Sequence, residues 1–244
     1  MEVRKENIDK LNKLLDKYKL NEFEKDELLN IIYPIFRHYE FQKRMGNKFL
    51  HHGTITLGEH ILCDTIVTYK LSKKYMKKHK DYNLKLALEI AMLHDLYTYP
   101  WQNNKMAKTD KFLNSHGFRH SIEAVINSIT WYPELFSDED EARIIIDGIV
   151  HHMFPLPVRI FKNNSVNSME LKNFDMLKNL SKDKCLMLEK SCVRKKVGKV
   201  SFSRSLYKEG RIMSKADKKV SMRQFKNISS AKALLTGHNK SLEK

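Results

Sequence analysis

The stretch "LALEIAMLHDLYTYPWQ", residues 86–102, constrains this chain more than any other. It begins as a helix that is apolar nearly all round, and such a helix is buried. It then places His94 beside Asp95 and stops at Pro100. An imidazole and a carboxylate are costly to bury unless something pairs with them. The fold must therefore bring partners to His94 and Asp95 from elsewhere in the chain.

The rest of the sequence predicts an all-α fold around that helix. Its 8 glycines and 5 prolines in 244 residues fall well below average usage of roughly 7% and 5%. Few turn formers over this length point to long helices. A hydrophobic content of 41% suffices for one good core or two small ones. No run of 18 or more apolar residues is present, so no membrane span is expected. The N-terminus, "MEVRKENIDKLNKLLDKYK", has no apolar signal-peptide core. Cys63, Cys185 and Cys192 form no CxxC; they read as reduced thiols in a cytoplasm.

Charge is unevenly placed. Of the net +16, residues 163–244 carry 20 Lys+Arg against 7 Asp+Glu, and residues 1–162 carry 25 against 22. One reading is attraction to nucleic acid or another polyanion. The other is a solvated surface, because 35 of the 45 cations are Lys, the less specific reader of phosphates and bases.

Periodicity predicts helices through "ENIDKLNKLLDKYK" and "EFEKDELLNIIYPIFRHYEFQKRM", with Pro34 as a kink or junction. Thr56 and Glu59 form a capping box that starts a long helix. The apolar helix follows at about 83–98, then "RHSIEAVINSITWY". Ser137 and "DEDE" open a helix that runs through "EARIIIDGIVHHM" to "FPLP". "KNNSVNS" reads as a loop, and "MELKNFDMLKNLSKDKCLMLEK" as one helix or two. "KKVGKVSFSRSLY" alternates like a short hairpin. "EGRIMSKADKKVSMRQFKNISSAKALL" is helical, and the tail "TGHNKSLEK" is frayed.

Histidines and acids recur at helix ends and on inner faces. His60 lies just inside a helix start. His94 and Asp95 end the apolar helix. His116 and His120 bracket a helix start, and His151 and His152 end the Ile-rich helix. Asp217 shares a helix face with Met213, Val220 and Ser221. Each alone has a plain reading as a dipole partner or solvated acid. A shared metal accounts for all of them, and imidazole with carboxylate suits Zn, Mn, Fe or Co. No Cys lies near, which argues against a structural zinc.

The order H…HD…H…H…D on a helical chain resembles the HD-domain superfamily of metal-dependent phosphohydrolases, closest to its small stand-alone bacterial branch. "HHGTITLGEHI", "AMLHDLYTYPWQ", "HGFRHSIEA", "HHMFPLPVR" and "KADKKVS" carry the resemblance over roughly residues 45–220. It implies a single helical HD domain over 51–225, interrupted by a basic insert at about 162–205. Residues 1–50 would then be N-terminal helices packed on it, and 226–244 a C-terminal helix and tail. It further implies that His60, His94, Asp95 and Asp217 bind a divalent ion (Mn, Fe, Co, Zn or Mg). His120 and His152 would bind a second ion or the phosphate, one of them as general acid, with His116 in a similar proton-transfer role.

Arg119 and Arg159 are candidate phosphate clamps because guanidinium grips oxyanions bidentately. Lys218 is a third, as a point charge. Tyr97, Tyr99 and Trp101 could stack on a base, or belong to core or rim. The implied activity is hydrolysis of a phosphate ester or anhydride, with a small phosphorylated substrate such as a nucleotide. Two alternatives stand beside it: a di-iron oxygenase on an HD-type fold, and a non-enzymatic module binding nucleic acid or another polyanion. The insert separates His152 from Asp217 by 65 positions, longer than in small relatives, and it is placed to line or cover the site.

Overall fold

Helices dominate, as the scarcity of glycine and proline predicts. The computed structural model describes residues 3–52, 54–98, 116–159 and 180–239, with side chains to residue 224. In chain order they form α1 (Lys5–Lys17), α2 (Glu22–Phe36), α3 (Tyr39–Arg44), β1 (Leu50–His52), β2 (Ile55–Thr56), α4 (Leu57–Met76) and α5 (Leu84–Leu93). Then come α6 (His116–Trp131), a 3-10 turn (Pro133–Phe136), α7 (Glu139–Val150), β3 (Val158–Arg159), α8 (Lys182–Cys192), β4 (Lys196–Val197), β5 (Val200–Ser201) and α9 (Lys208–Asn239). β1 and β2 pair antiparallel, and β3, β5 and β4 form a small antiparallel sheet in that order. Tyr99, Trp101 and residues 162–179 of the insert lie outside the described residues.

α5 is the central element, as its all-round apolar sequence requires. Ala87, Leu88, Ile90, Ala91, Met92 and Leu93 are wholly buried. α2, α4, α7 and α9 enclose them. Burying a Leu, Ile or Met side chain contributes roughly 1.5–3 kcal/mol, so α5 is gripped from every side. The N-terminal helices share this core through Leu11, Leu15, Leu28, Ile32, Ile35, Phe36 and Phe41.

The Thr56–Glu59 capping box forms as the sequence predicts. Three boundaries differ. α7 is capped by Asp138, which accepts from the Glu141 amide at 2.8 Å; the expected cap, Ser137, instead donates to the Glu134 carbonyl in the 3-10 turn. Pro34 sits within the last turn of α2, and the break falls at Arg37–His38, where His38 Nδ1 caps α3. α5 ends at Leu93 rather than near 98, so His94 and Asp95 stand just past its last turn. The expected hairpin is present, with Gly198 at φ +59° in its turn, and β3 adds a third strand. α9 continues through Asn239 without a break near 225, and so includes residues 236–239 read above as frayed. No described helix is long and apolar enough to cross a membrane.

Two glycines let three helices close on one point. A Cβ on Gly210 of α9 would stand 2.7 Å from the Cα of Gly148 in α7. A Cβ on Gly148 would stand 2.7 Å from Ile90 Cδ1 in α5. Without side chains at both positions, α9 meets α7 backbone to backbone, and the Ile90 side chain of α5 packs directly on the α7 backbone. The chain ends that carry His94, His152 and Asp217 thereby converge.

Candidate metal centre

α4, the end of α5, α6, the end of α7 and α9 each deliver a side chain to one buried cluster. His60, His94, Asp95, His120, His152 and Asp217 are all buried, at most 6% exposed. Each imidazole is oriented by its Nδ1 edge. His60 Nδ1 meets Gln224 Oε1 at 3.0 Å, and His94 Nδ1 donates to the Ala91 carbonyl at 2.8 Å. His120 Nδ1 donates to His116 O at 3.0 Å, and His152 Nδ1 to Ile149 O at 2.7 Å. Once Nδ1 holds the proton, a neutral ring turns a lone pair on Nε2 toward the cluster.

Those Nε2 atoms gather around Asp95. Its Oδ2 lies 3.6 Å from His60 Nε2 and 3.7 Å from His94 Nε2. Its Oδ1 lies 3.5 Å from His120 Nε2 and 3.6 Å from His152 Nε2. His120 and His152 face each other, Nε2 to Nε2, at 3.0 Å. Asp217 Oδ1 stands 3.8 Å from His60 Nε2 and accepts from Ser221 Oγ at 3.0 Å. Met213 and Val220 on the same face are buried, as the helical spacing predicts.

Sequence reasoning missed two members. Asp64, one turn after His60 on α4, is wholly buried, with Oδ2 3.0 Å from His60 Nε2 and 3.4 Å from His94 Nε2. His51, on β1, stacks on His60 at 4.0 Å between ring centroids, and its Nε2 is 3.9 Å from Asp95 Oδ2. Its Nδ1 bonds the Tyr97 hydroxyl at 2.9 Å. Tyr97 is buried, and the buried Arg44 guanidinium donates to its carbonyl, so it braces His51 rather than offering a face to a base.

Charge in the cluster is tightly coupled. Burial alone would lower His60, but Asp64 and then Asp95 raise it to about 9. Burial likewise opposes His94, which Asp95 and Asp64 raise to about 10. Burial and the Asp64 charge push Asp217 up to about 6. Asp95 is held well below the usual carboxylate range: burial works against ionisation, and His94, His120, His51 and His152 overcome it. Burial and neighbouring imidazoles keep His120 and His152 low. Burial, His120 and Arg119 bring His116 down to about 3. His116 stacks on His120 at 4.8 Å.

The cluster fits a divalent cation. Both Asp64 oxygens, Asp95 Oδ1 and His94 Nε2 are buried and have no aligned hydrogen-bond partner among the described residues. The close approach of His60 to Asp64 lacks the alignment of a hydrogen bond, so it does not satisfy them. Buried polar atoms left so are expensive, and a cation among converging lone pairs would satisfy all of them. Three overlapping groups are compact enough to hold one: His60, Asp64, His94 and Asp217; His51, His60 and Asp95; and His94, Asp95 and His152.

The remaining candidates are placed less centrally. His116, one turn before His120 on α6, lies outside the three groups that could hold a cation. His151 turns away to Ser191 O at 3.0 Å. Arg119 Nη2 pairs with Glu123 Oε1 at 3.4 Å. Arg159 is on β3 opposite Val200, on the sheet. Lys218 is half-buried beside Asp217, its ammonium 5.6 Å over the Phe154 ring. No family model, curated protein or solved structure matches the chain.

Proposed function

We propose that the chain is a metal-dependent phosphohydrolase cleaving a phosphate ester or anhydride, with a nucleotide as substrate class. One observation carries the reading: Asp95 turns one oxygen to His60 and His94 and the other to His120 and His152. A carboxylate shared between two imidazole pairs suits two cations, or one cation and a phosphate. His60, His94, Asp95 and Asp217 would hold the first ion; His120 and His152 would hold a second or grip the phosphate.

A bound divalent ion supplies Lewis-acid neutralisation of a phosphoryl oxygen and an activated water. The chain's own groups do the rest. His152, kept neutral by burial, accepts a proton at Nε2 and returns it to the leaving oxygen. His120 shares that proton across the 3.0 Å contact. Lys218, next to Asp217, draws in the phosphate's charge. Burial excludes bulk water and so strengthens each of these interactions.

The test is metal analysis of the purified protein, followed by a hydrolysis screen over nucleotides, cyclic dinucleotides and simple esters. Bound divalent metal with turnover, and loss of that metal in His94→Ala, Asp95→Ala and Asp217→Asn, is the expected result. Paired iron with O₂ consumption and no hydrolysis would favour the oxygenase alternative. A protein free of metal and inert across the screen would overturn both.

A second reading, of the molecule as a polynucleotide binder, is favoured by the β3–β5–β4 sheet. Its register puts Arg159, Val197 and Val200 on one face. Past β5 the burial alternates: Ser201, Ser203 and Ser205 are buried, and Phe202, Arg204 and Leu206 are exposed. An exposed aromatic beside guanidinium groups is what stacks bases and holds phosphates in single-stranded nucleic acid.

A further inference from the structure

The carboxylate nearest to both central imidazoles is neither Asp95 nor Asp217. Asp64 Oδ2 stands 3.0 Å from His60 Nε2 and 3.4 Å from His94 Nε2. The corresponding distances for Asp95 are 3.6 and 3.7 Å, and Asp217 is 3.8 Å from His60 Nε2. Atoms that share one cation at about 2.1 Å stand about 3.0–3.5 Å apart, from octahedral to tetrahedral angles. Only Asp64 meets that spacing with both rings.

Beyond its ion pairs with the two imidazoles, Asp64 has no aligned hydrogen bond to any described residue. It is wholly buried. A partner that merely oriented the imidazoles would be expected at their Nδ1 edges. Those edges are already taken, by Gln224 on His60 and by Ala91 on His94. The H…HD…D pattern of the family resemblance has no place for a carboxylate one turn after the first His.

We propose that Asp64 is a direct ligand of the first cation, joining His60, His94 and Asp217 in one compact set of donors. The inference rests on the metal-site reading above. Two imidazoles and two carboxylates make a donor set that suits a first-row divalent ion such as Mn²⁺, Co²⁺ or Zn²⁺. The His60–Asp64 pair presents both ligands from one face of α4, at i and i+4.

The experiment uses the full chain stripped of metal and titrated separately with Mn²⁺, Zn²⁺ and Co²⁺, read by calorimetry and by the visible absorption of Co²⁺. That absorption is weak for six-coordinate Co²⁺ and several-fold stronger for four-coordinate. The wild type should bind each ion, in the order of the divalent affinity series, and give a defined Co²⁺ spectrum. Asp64→Asn should lose about 10²-fold or more in affinity for each ion and change the Co²⁺ spectrum. Asp64→Glu, which keeps the charge but moves it by one methylene, should also change the spectrum; it serves if the amide variant fails to fold. A wild type that takes up no cation overturns the metal-site reading itself. A wild type that binds metal, beside variants with unchanged Mn²⁺ affinity and unchanged Co²⁺ spectrum, overturns only the assignment of Asp64.

Discussion

Protons and cations compete for the same lone pairs in this cluster. His60 and His94 are raised to about 9 and 10 by the carboxylates around them, against the opposing effect of burial. A basic group with a raised folded pKa adds stability below its unfolded value of about 6.5, and that stability is lost as pH climbs through the folded value. Asp217, raised to about 6, acts in the same direction at lower pH: its neutral form suits the fold, so stability falls between about 3.8 and 6. With cations chelated, melts should therefore show declining stability from about pH 7 to 10; below about 6.5 His116, His120 and His152, held low by burial, work against Asp217, because the unfolded chain binds protons that they do not. With Mn²⁺ present the trend should flatten or reverse above neutrality, as the ion takes the place of the protons. Parallel slopes with and without Mn²⁺ would argue that no ion enters the cluster.

His120 and His152 should behave differently from the four central ligands. His120→Ala and His152→Ala should keep one bound ion while lowering turnover by roughly 10²–10⁴, the usual size of an acid–base contribution. If each instead lowers the metal count from two toward one, the second position holds a cation. Wild-type metal and wild-type turnover in both variants would remove them from the site. His60, His94, Asp95, His120, His152 and Asp217 are legible in sequence because each interrupts an apolar pattern or ends a helix. Asp64 is not, because α4 is buried along most of its length and a lone acid in "HILCD" has the spacing of any surface acid. His51 is hidden in a short strand whose pairing no periodicity announces.

At the scale of elements, the site depends on how closely α9 approaches α7. Gly210→Ala would add a methyl 2.7 Å from the Gly148 Cα, against backbone that cannot rotate away. Helix propensity favours Ala by about 1 kcal/mol, but overpacking costs about 1–3 kcal/mol, and rigid backbone puts the cost toward the upper end. α9 should shift outward and carry Asp217 with it. Urea melts should show a net loss of about 1–2 kcal/mol, and metal affinity should fall by more than an equally destabilising change far from α9. Gly117→Ala on α6, where a Cβ meets nothing within 4 Å, should be neutral or stabilising. Equal effects at both glycines would mean that close approach does not matter. Element types were readable from caps and apolar spacing. Their ends were less so: α5 stops early because His94 turns back to Ala91, and α7 starts at Asp138 because Ser137 is occupied by the preceding turn. Both outcomes depend on local hydrogen bonds that compete with equally good alternatives.

Over the whole molecule, the C-terminal charge has a definite place on the described surface. From residue 180 to 211 the chain holds 10 Lys+Arg and 3 Asp+Glu. Lys195, Lys196, Lys199 and Arg204 on and beside the small sheet are exposed. The sheet is anchored from beneath: Ser203 donates to the Arg194 carbonyl at 2.7 Å, and Ser205 to Asp147 Oδ2 at 2.7 Å. Phe202 and Arg204 are thus held outward, two residues apart, and Lys218 feels both Arg204 and Asp217. If this face binds nucleic acid, anisotropy of a short labelled single-stranded RNA should report binding that weakens steeply between about 50 and 200 mM salt, because phosphate contacts release counterions. Arg204→Gln should flatten the salt slope by about one charge, and Phe202→Ala should cost about tenfold in affinity with the slope unchanged. Asp95→Ala, which acts inside the cluster, should leave the affinity intact and so separate binding from hydrolysis. Equal affinity for duplex and single strand, unmoved by Phe202→Ala, would reduce the face to a general polyanion surface. Absence of binding at the lowest salt would leave the charge as solvated lysine, and the site would then have to recruit its substrate without help from this face.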